Sequence, residues 1–410
     1  MNNEKKYVNA LVLLCSVVYF ISYLTRINYA AVLIEIVKSR GISNAEASLA
    51  LTASAISYGG GQLVSGYFGD RIKPQKIVLT GLVCTTLMNI LLPVFTSTAS
   101  SVIIWTVNGF AQAMMWPPIV KILTNKMSGE VYQKACVYVS WGASFATIFV
   151  YLIAPVIIHS FSWKAVFTFS GIAALIMSIV WGLTFNRINN KISDVAKEAS
   201  GSAAAPKEKI TGRVVLLLGL LMLVIVIQGS LRDGISTWTP TYVSEMFNFG
   251  SEVSILSGVI LPVFSIMCHY TAMVINRRLI KNQMANAGVI FAAAAVFSAI
   301  LSFFGEKSAV LAIASLAIVT GCMHGINYLM TCLTPSFFVK YGKVSFISGL
   351  LNSCTYVGSA VSTYGIALMT NDKSWSFISG MWGVVAFIGA VLCIIASVPW
   401  GKFTKRGILN

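Results

Sequence analysis

Residues 214–242 read VVLLLGLLMLVIVIQGSLRDGISTWTPTY, and no other stretch says as much about the architecture. Val214 to Ile227 carries no charge and no amide, and the apolar run extends over about 213–243. About 20 predominantly apolar residues in a helix cross the hydrocarbon core of a bilayer, so the stretch reads as a membrane helix. It nevertheless contains Arg232 and Asp233. An unpaired arginine near the bilayer centre costs roughly 3 kcal/mol on insertion scales, so such a residue faces a water-filled cavity and marks a binding site.

The pattern recurs along the chain. Apolar runs fall at about 7–37, 48–68, 77–97, 101–121, 133–158, 163–185, 213–243, 254–276, 284–304, 308–339, 345–370 and 375–400. Of the 410 residues 57% are hydrophobic and only 10% charged. A water-soluble surface needs roughly 25% charged residues, so most of this surface faces lipid. The first run is too long for a signal peptide and has no small-residue cleavage site, so it is expected to stay as the first spanning helix.

The net charge of +16 does not point to nucleic acid, because the basic residues sit in short loops between the apolar runs. With both termini inside, 22 of the 29 Lys and Arg fall in interior loops and 5 in exterior ones. That asymmetry predicts cytoplasmic termini and an even number of helices. The eight cysteines form no CxxC and the three histidines no metal-binding spacing, so neither a metal nor another cofactor is expected. With no nucleophile elbow, catalytic acid pair or nucleotide loop, an enzyme is not expected.

Residues 186–212 are polar and rich in Ala, Ser and Lys, and read as a cytoplasmic linker between two six-helix lobes, 1–185 and 213–410. Arg26 and Arg232 are 206 residues apart, as are Arg71 and Arg277. One shared offset suggests a parallel internal repeat. Arg26, in SYLTRINYAAVL, then matches Arg232 on the first and seventh helices, and a two-lobed carrier would bring the two face to face. Two guanidinium forks fit a phosphate dianion in charge and geometry. A direct Arg232–Asp233 pair is awkward on this reading, because adjacent helical residues point about 100° apart.

Other motifs have two readings each. Trp116-Pro117-Pro118 breaks the fourth run; a structural kink is the simpler reading, with a ligand contact by Trp116 or Gln112 the sharper one. Gly59-Gly60-Gly61 lies in an apolar helix without a following Lys-Ser/Thr, so it reads as close helix packing. Tyr23, Tyr29, Tyr58 and Tyr356 could reach a cavity or simply pack. Gly66, Asp70, Arg71 and Lys76, in GYFGDRIKPQK, resemble the GxxxDRxxxxK loop signature of the major facilitator superfamily, in which a charged loop latches neighbouring helix ends.

Together these motifs resemble the organophosphate:phosphate antiporters of that superfamily, which include glycerol-3-phosphate and hexose-6-phosphate transporters. The likeness runs along the whole chain: SYLTRINY at 22–29, SYGGGQ at 57–62, GDR at 69–71, GFAQAMMWPP at 109–118, Trp163, LRDGISTWTPTY at 231–242 and TYVGS at 355–359. The resemblance implies an all-α membrane protein of twelve helices and a phosphate-binding pair at Arg26 and Arg232. It also implies cavity-lining Tyr58 and Tyr356, with Tyr23, Gln62 and Trp116 as further substrate-binding candidates. Rocking of the two lobes would exchange an organic phosphate for inorganic phosphate.

The chain departs from the family in three places. Ile27 follows the first arginine where glycerol-3-phosphate transporters have Lys, Gln62 stands where the family often has Lys, and the fifth helix has no histidine near Gly142. The cavity is therefore less positive than in that transporter, and a larger sugar phosphate, a phosphonate or another organic anion fits as well. The alternatives are a proton-coupled symporter, with Asp233 as the coupling carboxylate and His324 as a weaker candidate, and a sugar-phosphate sensor that does not transport. The expected setting is an inner or plasma membrane, with small anions and lipid as partners, a monomeric carrier and no nucleic acid.

Overall fold

The computed structural model describes residues 2–95, 97–193, 208, 210–248, 251–369 and 373–406, without the side chains of 2, 3, 44, 45, 251–258, 367, 368, 405 and 406. Its helices are α1 (Asn2–Ala31), α2 (Leu33–Arg40), α3 (Asn44–Gly69), α4 (Pro74–Leu91), α5 (Thr98–Ala113), α6 (Trp116–Lys126), α7 (Gly129–Ser160) and α8 (Trp163–Asn189). The second half has α9 (Gly212–Phe247), α10 (Ser251–Arg278), α11 (Gln283–Phe304), α12 (Ala309–Asn327), α13 (Val344–Met369) and α14 (Trp375–Arg406). No strand occurs among the described residues.

Among the described residues ten helices are long and apolar enough to cross a membrane. The two other expected runs are helical too. One is α3, rich in Gly, Ala and Ser; the other is divided into α5 and α6. The division has the cause expected from the sequence. Pro117 and Pro118 have no N–H to return to the carbonyls four residues back, so the chain turns at Met114 and Met115 and restarts at Trp116. The first run also differs from a single straight helix: it bends at Val32 (φ −108°, ψ 9°), between α1 and α2.

The tenth run holds a feature that the apolar pattern hides. After α12 the chain widens into a π-helical segment, Tyr328–Leu333. Pro335 follows closely and offers no N–H, and the Thr334 hydroxyl donates to the Leu329 carbonyl at 3.0 Å. Local re-satisfaction of this kind lets membrane helices keep prolines.

Two compact units divide the chain. One comprises residues 1–207 with 338–353, the other 208–337 with 354–410. In the stretch read as a linker, α8 continues to Asn189 and α9 begins at Gly212; residues 194–207 and 209 lie outside the described residues. Within each unit the helices approach closely at glycines. In the first, a Cβ on Gly142 of α7 would overlap the Ser16 carbonyl of α1, and one on Gly109 of α5 the Ser54 carbonyl of α3. In the second, a Cβ on Gly358 of α13 would overlap the Val226 carbonyl of α9, and Gly321 of α12 abuts Cys268 of α10. First-with-fifth and second-with-fourth pairing thus recurs in both halves, as a parallel repeat requires. Small residues at helix crossings give membrane bundles their contact area, because lipid supplies no hydrophobic drive between helices. Large apolar side chains such as Leu13, Leu152, Leu183, Leu216 and Ile394 point outward, as lipid-facing positions do.

Candidate functional site

In the first unit the site is built around α1. Arg26 is half-buried, and its guanidinium carbon lies 4.0 Å from the ring centroid of Tyr23 and 4.6 Å from that of Tyr58 on α3. Tyr23 precedes Arg26 by three residues and so shares its face of the helix. An aromatic ring attracts a cation through its negative face, more strongly where water is scarce. The rings therefore hold the guanidinium by their faces. Tyr19 continues the line, with its ring 5.1 Å from Tyr23 and 4.8 Å from Trp116. Trp116 thus stands two rings from the arginine and supports Tyr19.

Directly behind Arg26, a buried polar network fixes α1. The Thr25 carbonyl accepts from Asn108 Nδ2 at 3.1 Å and from Asn89 Nδ2 at 3.2 Å. Gln112 Nε2 donates to Thr25 Oγ1 at 2.8 Å and to Thr85 Oγ1 at 2.7 Å, while Ser22 donates to Gln112 Oε1. Thr85 donates to Asn108 Oδ1, and Asn28 to Asn89 Oδ1. These amides and hydroxyls on α1, α4 and α5 lock the register of α1 at Thr25, and with it the base of the Arg26 side chain. Gln112 therefore has a positioning part that sequence reasoning weighed only as ligand contact, and Asn89 and Asn108 were missed entirely. Gln62, one turn after Tyr58, is fully buried, and neither atom of its side-chain amide finds a partner among the described residues.

The loop signature divides in two. Asp70 caps the start of α13: its carboxylate accepts from the N–H groups of Ser345 at 3.0 Å and Phe346 at 2.8 Å. Lys121 lies 3.5 Å from the same carboxylate and donates to the Gly69 carbonyl at 2.8 Å. Gly66 leaves room beside the Ser345 carbonyl that a Cβ would fill. An anion at a helix N-terminus satisfies unpaired N–H groups and the positive end of the helix dipole. Burial still raises the Asp70 carboxyl above its ordinary value, against the opposing pull of the Phe346 N–H, Lys121 and the Ser345 N–H. Arg71 lies outside this contact, with its guanidinium 3.3 Å from the Tyr67 centroid, and Lys76 is exposed in the first turn of α4.

In the second unit Arg232 is buried on α9 and pairs with Asp233, Nε to Oδ1 at 2.6 Å and Nη2 to Oδ2 at 2.8 Å. This corrects the expectation that neighbouring residues pair awkwardly. The 100° offset applies to the Cβ directions; the long arginine stem curves round to meet the carboxylate. Tyr356 on α13 places its ring centroid 5.9 Å from the Arg232 guanidinium carbon. The two helices come this close because Gly229 and Gly234 of α9 sit against Thr355 and Ser362 of α13. Further along α9, Trp238 Nε1 donates to the Thr363 carbonyl at 3.3 Å, and the Tyr242 ring packs 5.3 Å from that of Trp375. No group of metal-ligating side chains occurs among the described residues.

Helices of this length and order, with one arginine inside an apolar span of each unit and Asp70 capping α13, define a polytopic membrane protein of two units. The sequence profile of the Major Facilitator Superfamily matches residues 15–363, and the chain belongs to that superfamily of transporters. It is 28% identical to a glycerol-3-phosphate transporter of Bacillus subtilis (strain 168) over 69% of this chain and 67% of that protein. It is 22% identical to the membrane sensor protein UhpC of Salmonella typhimurium over 92% of this chain and 88% of that one. Among solved structures, the proton:xylose symporter XylE bound to 6-bromo-6-deoxy-D-glucose superposes with a TM-score of 0.73 over 98% of this chain and 96% of the other, at 13% identity. The last likeness bears on the fold alone.

Proposed function

We propose that this transporter carries an organic phosphate across the cytoplasmic membrane in exchange for inorganic phosphate, by alternating access, with both termini cytoplasmic. One observation carries the reading: each unit holds one intramembrane arginine, and each is arranged to release its present partners to an anion. Arg26 lies inside an apolar span with its guanidinium on the faces of two tyrosines, Tyr23 and Tyr58. Arg232 holds Asp233 in the two-bond geometry that a phosphoryl group would adopt. A phosphate dianion displaces Asp233 and joins the charge of Arg26. Tyr23 and Tyr58 hold Arg26 for it and Tyr356 stands beside Arg232; Gln62 is a further proposed contact, and Trp116 braces the aromatic line behind Tyr23.

The exchange requirement follows from the same charges. An arginine within the span is costly to move through a low-dielectric environment unless an anion offsets it; a bound phosphate lowers that cost, so the loaded carrier turns over and the empty one waits. Asp70 holds α13 in one state of the cycle and releases it in the other. The test is counterflow in proteoliposomes containing inorganic phosphate. Labelled phosphate should enter against its gradient, and organic phosphates should compete. The likeness to a membrane sensor favours a second reading, in which the same site binds an organic phosphate and the chain signals without moving it. Ligand-dependent stabilisation with no counterflow would select that reading.

A further inference from the structure

Within the second unit α9, α10 and α12 pack on one another, and their shared seam holds polar groups that Arg232 does not use. His269 of α10 is buried, with Nδ1 2.6 Å from the Ser265 carbonyl. A carbonyl oxygen only accepts, so Nδ1 carries the proton, and Nε2 of the neutral ring keeps its lone pair. The ring of His324, on α12, lies 5.5 Å from that of His269 and makes no hydrogen bond among the described residues.

On α9 and α12, which pack against α10, three buried atoms have no partner among the described residues: Thr320 Oγ1, Asn327 Nδ2 and Gln228 Oε1. Thr320, His324 and Asn327 recur at the spacing of one helix face. Gln228 is tied to α12 through its other amide atom, Nε2, which donates to the Met323 carbonyl at 2.9 Å. Buried polar atoms are nearly always satisfied in folded proteins, so each exception calls for an occupant; here Gln228 is tied to α12 one residue before His324, and Thr320 and Asn327 share a helix face with His324.

The chemistry of the cluster narrows the occupant. Its members are uncharged and mixed: a donor at Asn327, an acceptor at Gln228, a lone pair on His269, and groups at Thr320 and His324 that do either. The dianionic phosphoryl group of a phosphate ester only accepts, and leaves Gln228 Oε1 and the His269 lone pair unmet. Each hydroxyl donates once and accepts, so two or more of them on adjacent carbons meet both kinds of group. Gln228 precedes Arg232 by four residues, so the two share a face of α9 one turn apart. A phosphoryl group on Arg232 thus leaves the next carbon atoms and their hydroxyls at Gln228 and His324.

We propose that Gln228, His269, Thr320, His324 and Asn327 form the subsite that reads the hydroxyls of a polyol or sugar phosphate, and so set substrate preference. The inference rests on the proposed binding of an organic phosphate at Arg232.

The test is ligand-induced thermal stabilisation of the purified full chain, which does not depend on transport. Glycerol 3-phosphate, a hexose 6-phosphate and methyl phosphate, which has no hydroxyl, are titrated in turn. The wild type should bind a hydroxylated ligand at least tenfold more tightly than methyl phosphate. Thr320→Val, nearly isosteric, and Gln228→Leu should bring that ratio close to one, and Thr320→Ser should restore it. Because the readout is a ratio within one folded sample, a lower yield of a variant does not obscure it. Ratios unchanged in both variants, or a wild type without hydroxyl preference, would mean that the cluster holds only water, and would overturn the assignment. A wild type that binds none of the three ligands would sink the organophosphate reading itself and this inference with it.

Discussion

Arg232 and Asp233, neighbours on α9, are joined by two hydrogen bonds of 2.6 and 2.8 Å between guanidinium and carboxylate. On the proposed function the carboxylate occupies the fork that the phosphoryl group needs, and so competes with it. Asp233→Asn removes the competing charge. Charge-assisted pairs are worth about 1.5–3 kcal/mol, so inorganic phosphate should bind roughly tenfold or more tightly to the variant. Exchange should slow, because release becomes harder. Phosphate-induced stabilisation and counterflow, measured side by side, check both halves. Unchanged affinity would show that Asp233 does not compete.

The cap on α13 makes a different prediction. Asp70→Ala leaves the Ser345 and Phe346 N–H groups without their acceptor and Lys121 without its nearby carboxylate. A lost helix cap costs about 0.5–2 kcal/mol. The melting temperature of the purified variant should fall, and phosphate exchange should drop severalfold, while phosphate binding stays within about twofold. Equal exchange rates would deny this contact a part in the cycle.

Asp70 also has a pH signature. Burial is the largest influence on it and raises its carboxyl above the ordinary value. A raised folded-state pKa favours the protonated form in the fold. The contribution of this group to stability is therefore present below the ordinary carboxylate pKa of about 4, and is lost as pH rises through the higher folded value. The difference in melting temperature between wild type and Asp70→Asn should shift in that mildly acidic window and stay flat above it. A flat difference throughout would contradict the burial argument.

The network behind Arg26 tests positioning. Asn108→Leu removes one donor to the Thr25 carbonyl and the acceptor of the Thr85 hydroxyl. Leaving buried groups unmet costs about 1–3 kcal/mol each. The variant should melt earlier and bind phosphate more weakly, although Asn108 stands behind Arg26 and acts on the ligand only through it. Gln112→Leu should behave likewise. Normal affinity in a destabilised variant would restrict the network to folding.

Helix crossings give a control within the protein. A Cβ at Gly358 would overlap the Val226 carbonyl, whereas one at Gly219, on the same α9 as Val226, meets nothing within 4 Å. Gly358→Ala should lower the melting temperature and the yield; Gly219→Ala should leave both unchanged or slightly improved, since Ala favours helix over Gly. Equal behaviour would deny the close α9–α13 approach.

Much of the fold was legible because lipid imposes a simple rule: a spanning helix needs about 20 apolar residues, and charges betray loops or sites. Arg26 and Arg232 stood out for that reason, and so did the break at Trp116-Pro117-Pro118. What stayed hidden depends on distance along the chain or on side-chain reach. Asp70 finds its acceptor role with Ser345, 275 residues on, which no local pattern announces. The Arg232–Asp233 pair was discounted because helical angles describe Cβ vectors and not the ends of long side chains. Asn89 and Asn108 looked like stray polar residues in apolar runs, although buried amides in a membrane need partners and so report on one another. The π segment at Tyr328–Leu333 had one available signal, Pro335, which the apolar run masked.

The proposed function stands or falls on one arginine from each unit binding the phosphoryl group. The most direct measurement is counterflow of labelled inorganic phosphate in proteoliposomes, comparing wild type with Arg26→Lys and Arg232→Lys. Lysine keeps the charge and loses the two-pronged donor geometry. Fast exchange by wild type is expected, with competition by organic phosphates, and a loss of at least tenfold in each variant despite normal insertion and folding. Full exchange by either variant would contradict the shared role of the two arginines.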